Sequence, residues 1–293
     1  MQLLYTNLHK YLKTTCNIQK CVYNESQKTN LIEKRKRTMK KVLSLVLAAV
    51  MIITMAACMT ACSSDDNKLT MATNAEFPPY EYREGKDGEI IGIDAEIAAE
   101  IAKKLGMELE IVDTEFGSIV GGVQSGKYDM GMAGLTVNEE RKQSVNFSTS
   151  YATGVQVVIV KDGGSVASLE DLDGDVKIGV QQDTTGDIYA SAEPKDGGYG
   201  ADKVIRYKSG AEAVQALVTG KVQAVIIDNE PAKSFVKANE GLKILDTEYA
   251  VEDYAICVAK ENNELLEKIN KALAELKADG TIDKIVKKYI PAE

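Results

Sequence analysis

Two stretches of this chain are built on one plan, and that limits the folds open to it. Residues 123–136, VQSGKYDMGMAGLT, align with residues 217–230, LVTGKVQAVIIDNE. Each closes a helical pattern, turns through Gly-Lys, runs through a buried apolar strand and ends on polar residues. A looser pair, YATGVQVVIVK from Tyr151 and YAVEDYAICVAK from Tyr249, follows in the same order. Equivalent strand–helix units in two lobes account for the first pair, and two crossings between the lobes account for the second. The chain then builds lobe 1 from residues 68–153 plus 254–293 and lobe 2 from residues 158–249, crossing at about 153–158 and 249–254.

The rest of the body keeps this rhythm. KLTMAT, MELEIV, DMGMAGL, VKIGV, KVIRYK, VQAVIID and LKIL read as strands. DAEIAAEIAKKLG reads as a helix with Asp94 as N-cap, Ile97, Ile101 and Leu105 on one face and Gly106 at its end. GSIVGGVQSG, NEERKQSV, TTGDIYAS, AEAVQALVTG and EPAKSFVKAN are further helices, and two amphipathic helices close the chain. Alternation of this kind implies α/β sheets with mostly parallel strands. The expected fold is two Rossmann-like α/β lobes joined by two hinge strands, with a ligand cleft between them.

The formal charge of −9 hides two regions. Residues 1–62 hold ten Lys or Arg and two Asp or Glu, leaving 25 basic and 42 acidic groups for the rest. A body that acidic argues against nucleic acid as a partner, because phosphate contacts need clustered cations. Between the regions, a basic cluster at 34–41 leads into an uncharged run at 42–64, followed by Asp65 and Asp66. That is the layout of an export signal: charged start, apolar middle, small residues. The ending Met59-Thr60-Ala61-Cys62 resembles the lipobox of bacterial lipoproteins, with Cys62 the lipidated residue, Cys58 its rival and 62–67 a polar tether. An uncleaved membrane anchor is the alternative, the run being just long enough. Both place the body outside the cytoplasm, since the Lys/Arg flank stays inside. Met39-Lys40-Lys41 would itself begin an ordinary signal peptide at 39–61, so residues 1–38, which hold the only histidine, His9, read as a non-native upstream extension.

After cleavage before Cys62, the cysteines left are Cys62 and Cys257, and Cys257 lies in the apolar run YAICVA as a small core residue. No disulfide is expected. A body without histidine removes Ser-His-Asp and Cys-His nucleophiles and every His-based metal site. No metal and no cofactor are expected, and binding becomes the default function.

The stretch GLTVNEERKQS sharpens that. Asn138 reads as a helix N-cap and Glu139 and Glu140 suit the first turn, where the dipole favours anions. Arg141 at about the third helical position is disfavoured there unless something negative is shared with it. It is either a surface residue paired with a neighbouring Glu or a ligand group. In open α/β sheets ligands bind beyond the carboxyl ends of the strands. The echo places Gly134 and Thr136 at that end of one lobe and Asp228 at the equivalent end of the other. A guanidinium facing a carboxylate across a cleft is complementary to a zwitterion.

At these residues the chain resembles the polar amino-acid class of bacterial substrate-binding proteins that feed ABC importers. Four stretches carry the resemblance: ATNAEFPPYEY, GIDAEIAAEIAKKLG, MAGLTVNEERKQSVNFSTSY and KIGVQQDTTGDIYA, with VIIDNEP in support. It covers essentially residues 68–290 and implies two lobes closing over one L-amino acid, with an ABC permease and ATPase as partners, a lipid anchor to the membrane and a monomeric protein. It further implies that Arg141 pairs bidentately with the ligand α-carboxylate, assisted by Thr136 and Thr185 through backbone N–H and hydroxyl. Asp228 would take the α-ammonium with the Gly134 carbonyl. Phe77 and Phe116 would enclose the substrate side chain, with Asn74, Glu76 and Asp183 setting its identity; Tyr80 reads as packing. Thr185 as merely an N-cap, and Phe77 and Phe116 as ordinary core, are the plainer alternatives. Several basic-amino-acid binders of the family carry an acidic residue where this chain has Asn74, so a neutral polar side chain is expected here. A charge partner returns if Glu76 faces inward.

Two other motifs lead nowhere. GGVQSGKY approaches a phosphate-binding loop but lacks the final hydroxyl and follows a helix. DLDGDVKIG lacks the ligands of a calcium loop. The alternatives to an importer component are a cyclohexadienyl or arogenate dehydratase on the same scaffold, with Glu76 as acid, and a ligand-sensing subunit of a membrane receptor.

Overall fold

The computed structural model describes residues 67–85, 88–246 and 249–291. The expectations for residues 1–38, the signal segment, Cys62 and most of the tether lie outside that range. Among the described residues no helix is long and apolar enough to cross a membrane.

The strands, in chain order, are β1 (Lys68–Thr73), β2 (Glu76–Phe77), β3 (Glu81–Arg83), β4 (Ile90–Ile91), β5 (Glu108–Asp113), β6 (Met130–Gly131) and β7 (Val145–Phe147). They continue as β8 (Ala152–Lys161), β9 (Ile178–Gln181), β10 (Val204–Tyr207), β11 (Ala224–Asp228), β12 (Leu242–Ile244), β13 (Ala250–Tyr254) and β14 (Cys257–Ala259). The helices are α1 (Ile93–Leu105), α2 (Ile119–Gln124), α3 (Arg141–Ser144), α4 (Thr185–Ser191), α5 (Gly210–Thr219), α6 (Asn229–Ala238), α7 (Asn263–Ala278) and α8 (Thr281–Tyr289).

One sheet runs β5-β1-β6-β14-β7 and a second runs β10-β9-β11-β8-β12, with β13 also paired to β8. The first sheet therefore uses residues from both ends of the body, and the second uses the middle. Parallel pairing is confined to β5, β1 and β6 in one sheet and β10, β9 and β11 in the other. The remaining pairs in these two sheets are antiparallel. The sequence rhythm reports the βα units but not the direction of the strands that close each sheet. The small hairpin sheet β2-β3-β4 is also antiparallel.

The internal echo is real in three dimensions. Helices α2 and α5 end with the same paired bonds: Gly126 N–H to Val123 C=O and Lys127 N–H to Gly122 C=O, against Gly220 to Leu217 and Lys221 to Ala216. This is the reciprocal helix-stop pattern that a Gly after the last turn permits. Each stop leads into a central strand, β6 or β11. The looser echo marks β8 and β13, which pair with each other antiparallel from Gln156↔Ala250 to Ala152↔Tyr254.

The core is mostly aliphatic and falls into three clusters, the largest reaching into both sheets. Leu69, Met71, Ile97, Ile101, Met130 and Leu273 are buried in it. Cys257 is buried and free, packed near Ile119, Val123 and Val145. One local expectation is corrected: Asp94 is not the N-cap of α1. The cap is Gly92, and Asp94 sits inside the first turn with its side chain turned into the protein.

Candidate functional site

The carboxyl ends of four parallel strands meet between the sheets. Asn74 follows β1, Gly134 and Thr136 follow β6, Thr185 opens α4 after β9, and Asp228 ends β11. All five are at the strand ends where open α/β sheets bind ligands. A narrow hollow of ≈ 10 Å³, room for about one water, lies among them, walled by Phe77, Phe116 and Ala133 and reached by Glu81, Gln181 and Thr184. Chain bonds cross it. Gln181 donates to Asn74 Oδ1 at 2.9 Å, and the hydroxyls of Thr136 and Thr185 stand 3.4 Å apart.

Local sequence explains the placement. Asn138 Oδ1 accepts the Arg141 N–H at 2.8 Å, so it caps the turn as read, although the regular helix begins only at Arg141. That turns the Arg141 side chain inward, where it is 8 % exposed. Its Nη1 donates to the Thr136 carbonyl at 2.8 Å and its Nη2 to the Asp183 carbonyl at 3.2 Å. The guanidinium lies 5.3 Å from the Phe116 ring centroid. Burial pulls its pKa down, while the fields of Glu252, Cys257 and Asp228 push the other way. Arg141 is therefore buried as a bridge between lobes, at the edge of the inner hollow and not in its wall. It faces a second, open groove of ≈ 390 Å³ with Glu140, Asp187 and Arg206. The open groove is roomier, but its Asp187 and Arg206 already pair at 2.8 Å. The inner hollow, with converging polar groups and aromatic walls, is the better ligand site.

Asp228 is buried and accepts a hydrogen bond from the Tyr254 hydroxyl. Burial lifts its carboxyl to about 7, with the Tyr254 bond opposing and Glu252 adding to the rise. Behind the hollow, Asp94 Oδ2 accepts from the Gly134 N–H at 2.9 Å and the Tyr151 hydroxyl at 2.8 Å. Burial lifts Asp94 to about 6 against those bonds. Gly134 has no room for a side chain: a Cβ there would stand 2.7 Å from Phe77 Cε1.

Two expected pocket residues are elsewhere. Glu76 is exposed, because it neighbours Phe77 on a strand and successive side chains point to opposite faces. Asp183 lies on the open groove, holding the left-handed φ of 65° that lets its carbonyl meet Arg141. Tyr80 packs between Phe77 and Tyr254, as expected of a packing residue. Sequence reading missed Glu81, Gln181, Asp94, Gln156 and Glu252. Glu81 is 0 % exposed, and among the described residues no N–H or hydroxyl donates to its carboxyl, which lies beside that of Asp94. Desolvation, then the neighbouring Asp94, hold its carboxyl well above the usual range.

Two α/β lobes crossed by a paired hinge, with a polar hollow at the carboxyl ends of their strands, define a solute-binding protein. The family model for bacterial extracellular solute-binding proteins, family 3, matches residues 69–292, and the chain belongs to that family. It is similar to the arginine-binding extracellular protein ArtP of Bacillus subtilis (strain 168), 31% identical over 232 residues, covering 78% of this chain and 89% of the relative. Among solved structures it is similar to an ancestral arginine-binding protein bound to glutamine, 42% identical with a TM-score of 0.70, covering 77% of this chain and 99% of that one. It is also similar to the ancestral amino acid-binding protein AncCDT-1, a precursor of cyclohexadienyl dehydratase, 32% identical with a TM-score of 0.69, covering 77% and 96%.

Proposed function

We propose that this protein captures a cationic L-amino acid, of the arginine and lysine class, between its lobes and hands it to an ABC importer. The observation that carries the reading is Glu81: a fully buried carboxyl beside Asp94, reaching the same hollow as Asp228. An α-ammonium fits Asp228 with the Gly134 carbonyl. The α-carboxylate fits the N–H groups of Thr136 and Thr185 and the Arg141 fork, exchanging for the weaker bond to the Asp183 carbonyl. A cationic side chain held between Phe77 and Phe116 then meets Glu81, which supplies the charge that Asn74 does not. The two relatives named for arginine support this choice over the neutral side chain expected from Asn74 alone. In this reading Cys62 carries the lipid that tethers the body outside the cytoplasm, and the closed monomer is what the permease recognises.

Thermal denaturation against the common L-amino acids tests it, since a ligand that binds only the folded state raises the midpoint. Arginine, lysine and ornithine should raise it most, glutamine less and glutamate not at all. A larger rise with glutamate, or none with any cationic amino acid, refutes the assignment. Glu81 is the acid a dehydratase would recruit, so turnover of prephenate and arogenate is the second assay, and none is expected.

A further inference from the structure

We propose that Glu252 is a positioning residue that couples the two lobes, closing the cleft through the protein's own hydroxyls. Glu252 stands on β13, the returning crossing, and is buried. Its Oε2 accepts three hydrogen bonds from three different parts of the molecule. One comes from Thr136 Oγ1 of lobe 1 at 3.1 Å, one from Thr185 Oγ1 of lobe 2 at 3.0 Å, and one from Gln156 Nε2 of the outgoing crossing at 3.0 Å. A single oxygen reaches both hydroxyls only while the lobes are together, because opening the cleft carries Thr136 and Thr185 apart.

Two consequences follow from elementary hydrogen-bond chemistry. A hydroxyl has one hydrogen, and an ionised acceptor binds it more strongly than a neutral one. With both hydrogens committed to Glu252, neither Thr hydroxyl donates to a ligand carboxylate, which is left to the backbone N–H groups and Arg141. Glu252 also bears the charge that acts most strongly on Arg141 against its burial, so the lobe contact and the guanidinium stabilise each other. These bonds therefore contribute to closure before any solute does. The apparent affinity for a solute rises with the fraction of molecules already closed.

The test needs no ligand and does not depend on which amino acid binds. The chain has no tryptophan, so a single introduced indole reports alone. Ile188→Trp places it on the open groove opposite Phe116 and Val120 of the other lobe. In the full chain carrying that reporter, Glu252→Ala should shift emission to longer wavelength with no amino acid present, the closed-to-open ratio falling roughly tenfold, about one net hydrogen bond's worth. Glu252→Gln keeps an accepting oxygen but loses the charge, and should shift less than Glu252→Ala. Thr185→Val, which removes one arm and keeps the carboxylate, should shift as Glu252→Ala does, and serves if that variant fails to fold. Unchanged emission in Glu252→Ala or Thr185→Val overturns the proposal, as does a Glu252→Gln shift as large as that of Glu252→Ala, which would assign the effect to charge.

Discussion

Replacing Asp228 by Asn should weaken ligand binding and strengthen the fold in one step. The substitution keeps the shape and leaves an amide oxygen to accept the Tyr254 hydroxyl. What it removes is a buried carboxylate whose pKa is lifted from 3.8 to about 7, chiefly by desolvation. Ionising such a group inside the protein costs about 4 kcal/mol at pH 8, from the rise in pKa alone. Allowing for a weaker bond from Tyr254 to a neutral acceptor, about half of that should appear as stability, ~2 kcal/mol or a melting point about 5 °C higher in a body of this size. The sign follows from proton count. Between the unfolded value and about 7 the folded carboxyl holds a proton that the unfolded one has released, so the penalty accrues as pH rises. The gain from Asn should therefore shrink below pH 7 and vanish near pH 4. Binding moves the other way: losing a charged partner for a buried ammonium costs ~2–5 kcal/mol, roughly 30- to 5,000-fold in affinity. Melting curves of parent and variant at pH 4, 6 and 8, with and without L-arginine, read both effects. A variant less stable at pH 8, or one binding within about threefold of the parent, refutes the account of Asp228.

Glu81→Gln should lower affinity for arginine by about 100-fold, the value of a buried charge-assisted bond, and leave glutamine within about threefold; competition titrations separate the two. Asp183→Gly should stabilise the protein by ~1 kcal/mol, because the left-handed φ of 65° is strained for any residue with a Cβ, and urea denaturation checks it. With no amino acid added, the midpoint should fall as pH rises towards 7, because Asp94 at about 6 and Asp228 at about 7 both hold protons in the folded state that the unfolded chain has lost. The extra degrees contributed by arginine should grow over the same window, since the ammonium needs Asp228 ionised.

What the sequence could show here was whatever is written locally. The helix stops at Gly126 and Gly220 and the Asn138 turn are patterns of a few neighbouring residues, and through them the two-lobe plan was legible, although the helix that follows Asn138 begins later than read, at Arg141. Glu76 was misplaced although strand alternation could have corrected it: with Phe77 inward, its neighbour must point out. Glu81 and Glu252 were overlooked, and Asp94 was taken for a helix cap, for a different reason. A carboxylate in a row of letters reads as solvated, and what buries these three is contact with remote chain, Asp94 with Gly134 and Tyr151, Glu252 with Thr136, Thr185 and Gln156. Their burial is a tertiary fact with no local signature.

The outgoing and returning crossings are laced to each other over five residue pairs, so neither bends without the other. Movement of one lobe against its mate then reduces to twisting a single ribbon, not to two independent pivots. A device with one such freedom returns the same side chains to the same facing places on every cycle.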